Sequence, residues 1–102
     1  MDGGNSRAPL VVASVAELAG LPEWSVSGSR GWWATAERIV HAGGRRWTIG
    51  LTPTAGGAIA LMLWRDDEVV VHRRGDEAAL CAVAVRWVGN LLAGHSWDAA
   101  ER

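Results

Sequence analysis

Hydrophobic and polar residues alternate along the middle of the chain. In the stretch RRWTIGLTP (45–53), Trp47, Ile49 and Leu51 fall on one side of an extended chain, with polar residues or glycine between them. Because successive side chains of a strand point to opposite faces, this alternation predicts a strand with one buried face and one solvent face. The preceding stretch GWWATAERIVHA (31–42) predicts another strand, and the glycine pair at 43–44 predicts a tight hairpin turn between the two.

Two further strands follow from the next segments. The run AIALMLW (58–64) is apolar at every position, and its length and flanking turns favour a central strand that is covered on both faces. The charged segment RDDE (65–68) predicts a turn, and EVVVHRR (68–74) predicts a short fourth strand that ends in charge.

Capping signals predict a helix at each end of this strand region. Near the N-terminus, Ser14 and Glu17 match the S-x-x-E capping box, and Gly20 and Pro22 end the helix after roughly two turns. The residues of this short helix predicted to face inward are Val15, Leu18 and Ala19.

The C-terminal helix has the clearest pattern. Asp76 is a good N-cap, Glu77 places negative charge in the first turn, and the helix is predicted to end near Gly94. Two adjacent apolar stripes predict a wide face that packs on the sheet. Those stripes are Leu80, Ala84, Trp87 and Leu91, and Cys81, Val85, Val88 and Leu92.

The order of elements predicts an α+β domain of the form α-β-β-β-β-α. We expect a four-stranded antiparallel meander sheet, with a short N-terminal helix and a long C-terminal helix on one face. Residues 1–9 are predicted to be a disordered leader, 10–96 a single α+β domain, and 97–102 a C-terminal tail.

Composition narrows the class of protein. The chain has 102 residues and a net charge of −1, so it has no strong field to attract nucleic acid or an acidic membrane. All its cations are arginine, which is typical of a GC-rich bacterial genome. With one cysteine and no apolar segment of signal-peptide length near the N-terminus, we expect a reduced, cytoplasmic protein.

The residues capable of chemistry do not form a recognisable catalytic or metal site. His41, His72 and His95 lack the spacing of metal ligands. Cys81 lies in a dense apolar stretch, where burial raises a thiol pKa, and we expect a buried, unreactive core residue. The adjacent carboxylates at 66–68 fall in a solvated turn. We therefore expect no enzyme activity, no metal and no cofactor.

Tryptophan and arginine together suggest a binding surface. The chain has seven tryptophans and no other aromatic residue. Trp32 and Trp33 are adjacent on a predicted strand, so one ring must face away from the helices; the more apolar alternate set places Trp32 inward and Trp33 outward. Exposed tryptophan and arginine are enriched at interaction hot spots. The predicted interaction residues are Trp33, Arg46, Arg65 and Arg86.

These observations favour a small bacterial protein-interaction module. We expect it to bind a protein partner or itself, as a homodimer, through an apolar tryptophan-bearing face, in the manner of an adaptor, an immunity protein or a secretion chaperone. One alternative is a nucleic-acid-binding regulator that uses arginine and tryptophan on the sheet. Another is a small-molecule-binding domain with a pocket between sheet and helix.

Overall fold

A computed structural model describes residues 12–28 and 34–99 of the chain. Trp32, Trp33 and the predicted leader lie outside the described residues. The elements in chain order are a 3-10 helix Ala16–Gly20, β1 Ser25–Ser27, β2 Thr35–Ala42, β3 Arg45–Pro53, a 3-10 turn Ala55–Gly57, β4 Ile59–Arg65, β5 Glu68–Gly75 and α1 Glu77–Leu92.

The strands form one antiparallel sheet in the order β1-β2-β3-β4-β5, with α1 packed against one face. The predicted α+β fold with an antiparallel sheet is therefore confirmed, but the sheet has five strands and the predicted number of four is wrong. The additional strand, β1, pairs with β2 through Ser25–Glu37 and Ser27–Thr35. It has three residues, two of them serine, and so is too short and too polar for hydrophobic periodicity to reveal it.

The predicted N-terminal helix is only a 3-10 helix of five residues. Half of the predicted capping box forms, since Ser14 Oγ accepts a hydrogen bond from the backbone N–H of Glu17 at 3.3 Å, whereas the Glu17 carboxylate accepts from the backbone N–H of Ala13 at 2.8 Å and not from that of Ser14. A 3-10 helix has three residues per turn, so residues three apart lie on the same side. Val15 and Leu18 are accordingly buried, whereas Ala19, predicted to face inward, is exposed.

The C-terminal helix agrees with the sequence pattern. Asp76 caps it, accepting a hydrogen bond from the backbone N–H of Ala79 at 2.9 Å. Glu77 also links the two ends of the domain, because its carboxylate accepts a hydrogen bond from the backbone N–H of Val15 at 2.8 Å. Of the two predicted stripes, Leu92 is 62% exposed and Val85 partly buried. The buried residues are Leu80, Cys81, Ala84, Trp87, Val88 and Leu91.

The segment after α1 folds back onto it. The ring of Trp97, in the predicted tail, meets the ring of Trp87 edge-on, with centroids 5.1 Å apart. The side-chain amide of Asn90 donates to the backbone carbonyl of Trp97 at 2.6 Å and holds this contact in place. Among the residues that the structure describes, no helix combines the length and the apolar character needed to cross a membrane.

Among the described residues, α1 packs on one face of β4 and no helix packs on the other, where Ala60 is buried but Met62 and Trp64 are partly exposed, so the prediction of a strand covered on both faces is wrong. Leu61 and Leu63 point toward α1 and are fully buried. Met62 and Trp64 point to the other side of the sheet and are partly exposed. An uninterrupted apolar run here encodes a strand with one core face and one apolar outer face.

The single cysteine is expected to be inert in the native protein. Cys81 is fully buried in α1, and burial, followed by the negative charge of Glu77, raises the pKa of its thiol to about 11. At neutral pH the thiolate that reacts with disulfide reagents is therefore scarce as well as inaccessible. A bulky thiol reagent should label the native chain slowly and the denatured chain at once. Equal labelling rates in the two states would show that Cys81 is reachable.

Candidate functional site

Among the described residues, the face of the sheet away from α1 is the main surface on which no helix packs. We call it the open face. Strand alternation and register assign to it Ser25 and Ser27 of β1, Thr35, Glu37, Ile39 and His41 of β2, Arg46, Thr48, Gly50 and Thr52 of β3, Ala60, Met62 and Trp64 of β4, and Val69, His72 and Arg74 of β5.

Strand register orders the centre of the open face into two parallel rows that cross from β2 to β5. Cross-strand partners lie side by side on one face of a sheet, so each row is a line of neighbouring side chains. The first row runs Glu37, Gly50, Met62, His72, and the second runs Ile39, Thr48, Trp64, Val69.

A β-bulge keeps the second row intact at the sheet edge. The register of β5 shifts between its pairings with Leu63 and Trp64, so that Val71 opposes Leu63 while Val69 opposes Trp64. The extra residue, Val70, shifts the alternation of side chains along β5 by one position. As a result, Val69 lies on the open face beside Trp64, whereas Val71 lies on the face toward α1.

The first row contains a groove at Gly50. The groove has a volume of about 390 Å³, and Glu37, Met62 and Trp64 are among its lining residues. A Cβ atom added at Gly50 would meet its nearest neighbour, the carbonyl oxygen of Ala36, at 4.0 Å, which is ordinary van der Waals contact. Packing within the chain therefore does not require glycine at this position. Because glycine has no side chain, the backbone of the sheet at Gly50 is accessible to an approaching group.

The second row is apolar at both ends. Ile39 is 43% exposed and Val69 is 46% exposed, and Trp64 lies between them beside Thr48. Trp64 and Val69 are direct cross-strand neighbours, and Thr48 separates them from Ile39. The second row is therefore mainly apolar, with one polar position.

The predicted interaction residues do not lie on one surface. Trp33 is outside the described residues. Arg46 is exposed at the hairpin end of β3, with its guanidinium 3.7 Å from Asp67. Arg65 follows Leu61 and Leu63 on the α1 side of the sheet, where it lies 5.9 Å from the centre of the Trp47 ring and 3.3 Å from Glu68. Arg86 lies on α1.

Arginine and tryptophan do associate, but not as neighbours in the sequence. Arg65 stacks on Trp47 of the adjacent strand, and the guanidinium of Arg73 lies 5.3 Å from the ring centre of the buried Trp87. Adjacent residues of a strand point to opposite faces, so Arg46 cannot pack on Trp47. Sequence adjacency therefore indicated the right residue types and the wrong pairs.

The acidic turn between β4 and β5 lies beside two arginines at the start of β3, Arg45 and Arg46, and balances their charge. The Asp66 carboxylate accepts hydrogen bonds from the backbone N–H of Arg46 at 3.1 Å and from the side chain of Arg45 at 3.0 Å. The backbone hydrogen bond from Arg46, followed by the hydrogen bond from Arg45, lowers the pKa of the Asp66 carboxyl below 3.8. This carboxylate is therefore charged at neutral pH and balances arginine locally.

The sequence predicted an apolar, tryptophan-bearing face on the side of the sheet away from the helices, but not most of the residues that form it. Ile39, Met62, Trp64 and Val69 were not predicted as site residues, although alternation along β4 would have placed Met62 and Trp64 opposite Leu61 and Leu63. Val69 could not be placed from alternation, because the bulge shifts the parity of β5.

Within residues 12–28 and 34–99, no group of three or more histidine, cysteine, aspartate or glutamate side chains is placed to hold a metal ion. Comparison of the chain with protein-family models, with curated proteins and with solved structures gives no match.

Proposed function

We propose that the chain is a small protein-interaction module that binds a protein partner, or a second copy of itself, through the open face. The observation that carries this proposal is the exposed row of Ile39, Trp64 and Val69 on the side of the sheet opposite α1. An antiparallel sheet that faces water on one side normally carries polar residues there. Covering this row with another protein would remove apolar area from water, which is the main driving force of association. Adaptors, immunity proteins and secretion chaperones all work by such binding.

The charges favour a protein partner over nucleic acid. Nucleic-acid binding depends on cations that are free to neutralise phosphates. Here Arg45, Arg46 and Arg65 lie 3.0, 3.7 and 3.3 Å from carboxylates of the β4–β5 turn and the start of β5. The open face also carries the carboxylate of Glu37, which would repel a phosphate backbone.

Two exposed aliphatic residues provide a matched test. Ile39 is 43% exposed on the open face, and Leu92 is 62% exposed at the end of α1. Ile39→Asp places a charge inside the proposed interface and should weaken association by at least roughly tenfold, whereas Leu92→Asp should leave it unchanged. The measurement is retention of protein on the immobilised chain, from native lysate and from a solution of the untagged chain.

Thermal melts must first show that both variants fold. If the Ile39→Asp variant folds and retains the same proteins as the wild type, with the same affinity, the open face is not the binding surface.

A further inference from the structure

The proposed function leaves the occupant of the open face unspecified, and the following inference rests on it. The carboxylate of this face and one of its guanidinium groups lie on different strands: Glu37 on β2, and Arg74 on β5, the far edge of the sheet, where His72 also lies. A second guanidinium, that of Arg46, lies at the hairpin end of β3, 3.7 Å from the carboxylate of Asp67. Between Glu37 and His72, the first row has a recess at Gly50 next to the protruding side chain of Met62. A surface with this arrangement is complementary to itself.

We infer that the occupant is a second copy of this chain, packed face to face about a two-fold axis that runs parallel to the strands between β3 and β4. Such an axis places β2 of one copy over β5 of the other and β3 over β4, so each row meets itself in reverse. Glu37 then faces His72 of the second copy, with Arg74 nearby. Met62 enters the recess above Gly50, and Ile39 meets Val69.

The other two-fold axis in the same plane gives a poor interface. An axis perpendicular to the strands lays each strand over its own copy and reverses the order of the rows. Where such an axis crosses the first row, Glu37 faces Glu37 and the recess at Gly50 faces itself, which brings like charges together and leaves a void. Where it passes between the rows, Glu37 faces Ile39, which buries a carboxylate against an aliphatic side chain. Face-to-face packing with the strands within about 30° of parallel is the common aligned geometry of sheet sandwiches.

The open face is small for a protein interface. Four strands spaced about 4.8 Å apart, each with three outward residues about 6.8 Å apart, give roughly 400 Å² in projection for each copy. A standard interface takes roughly 800 Å² of accessible surface from each partner, and the accessible surface of a face exceeds its projection. We therefore expect a reversible dimer that dissociates on dilution.

Disulfide cross-linking tests the pairing, because the buried Cys81 does not compete. We would make the variants Ile39→Cys and Val69→Cys and oxidise them separately and mixed. The inferred dimer brings position 39 of one copy to position 69 of the other, so the mixture should give a covalent dimer that joins the two variants. Each variant alone should give little, since equivalent positions lie about three strand spacings, or roughly 14 Å, apart, beyond the reach of a disulfide.

Other cross-linking patterns would overturn the inference in different ways. Covalent dimers of Ile39→Cys alone would indicate the perpendicular axis, and dimers of Val69→Cys alone would indicate pairing of β5 edges. No cross-linking of the mixture at concentrations well above micromolar would show that the open face does not hold a second copy. In that case Ile39→Asp would still decide, by its effect on retention of a different protein, whether the proposed function itself holds.

Charge exchange gives an independent readout. Glu37→Arg should weaken the dimer about tenfold by facing His72 and Arg74 of the second copy, and His72→Glu should weaken it by facing Glu37. Combining the two substitutions in one chain should restore dimerisation, because the guanidinium introduced at position 37 then opposes the carboxylate introduced at position 72 of the second copy. Within one chain these positions are about 14 Å apart, so the rescue cannot be internal. A combined variant no tighter than the single variants would refute the pairing.

Discussion

Trp87→Ala should lower the free energy of unfolding by about 3–5 kcal/mol, the usual cost of emptying a large aromatic position in a core. Trp87 is fully buried in the middle of α1. Its ring also meets Trp97 edge-on at 5.1 Å and lies beneath the guanidinium of Arg73 at 5.3 Å. Removing the indole therefore empties the centre of the core and releases both the segment after α1 and an arginine of β5. The loss of free energy of unfolding is measured by denaturant unfolding, with circular dichroism as the signal.

Trp64→Ala is the matched control for this substitution. Trp64 has the same volume but lies partly exposed on the open face. We expect it to cost about 1 kcal/mol, near the centre of the distribution for single substitutions. Because a domain is stable by only about 5–15 kcal/mol, the Trp87→Ala variant should be partly unfolded at a temperature where Trp64→Ala is folded. If the two variants lose the same free energy of unfolding, Trp87 does not hold α1 against the sheet.

Leu18→Ala should lower the free energy of unfolding by about 2–5 kcal/mol, although it lies in a 3-10 helix of only five residues. Leu18 is 0% exposed and is the only buried residue of that helix. The helix packs against β1 and β2, and Glu77 of α1 accepts a hydrogen bond from Val15 just before it. Leu18 thus closes one end of the core between the sheet and α1.

Ala19→Ser provides the control for Leu18→Ala. Ala19 is adjacent and exposed, so a hydroxyl there should shift the melting temperature little. The measurement is a pair of thermal melts at the same concentration. If the Leu18→Ala and Ala19→Ser variants both have the melting temperature of the wild type, the N-terminal helix does not contribute to the core.

The sequence predicted those elements whose residues carry both a periodic pattern and a boundary signal. The alternation around Ile49 gave β3, the glycine pair Gly43 and Gly44, with φ of 62° and 77°, gave the hairpin turn, and Asp76 gave the start of α1. The more apolar alternate set of residues 31–42, which was predicted to face inward with Trp32, includes Ala36, Arg38 and Val40, and all three of these residues are buried.

What the sequence did not predict depends on contacts between distant segments. Strand β1 exists because its few residues pair with β2, not because of their own pattern. The second face of β4 looked like core because Met62 and Trp64 are apolar, and only the location of α1 shows that this face is uncovered. A bulge that moves Val69 to the open face leaves no periodic signal. The sequence therefore predicted an open face with an exposed tryptophan, but it named Trp33 and three arginines as the interaction residues rather than Ile39, Trp64 and Val69.

Oxidation of Met62 is the most direct measurement of whether the open face is the binding surface. Met62 lies beside Gly50 in the first row, and the chain has two methionines, so Met1 serves as an internal reference. Hydrogen peroxide converts an accessible methionine to its sulfoxide, which mass spectrometry quantifies for each peptide. The rate at Met62 should fall, relative to Met1, when the dilute chain is assembled with a second copy or with a captured partner. An assembly in which Met62 oxidises as fast as in the dilute chain would contradict the account, because the partner would then be held by another surface.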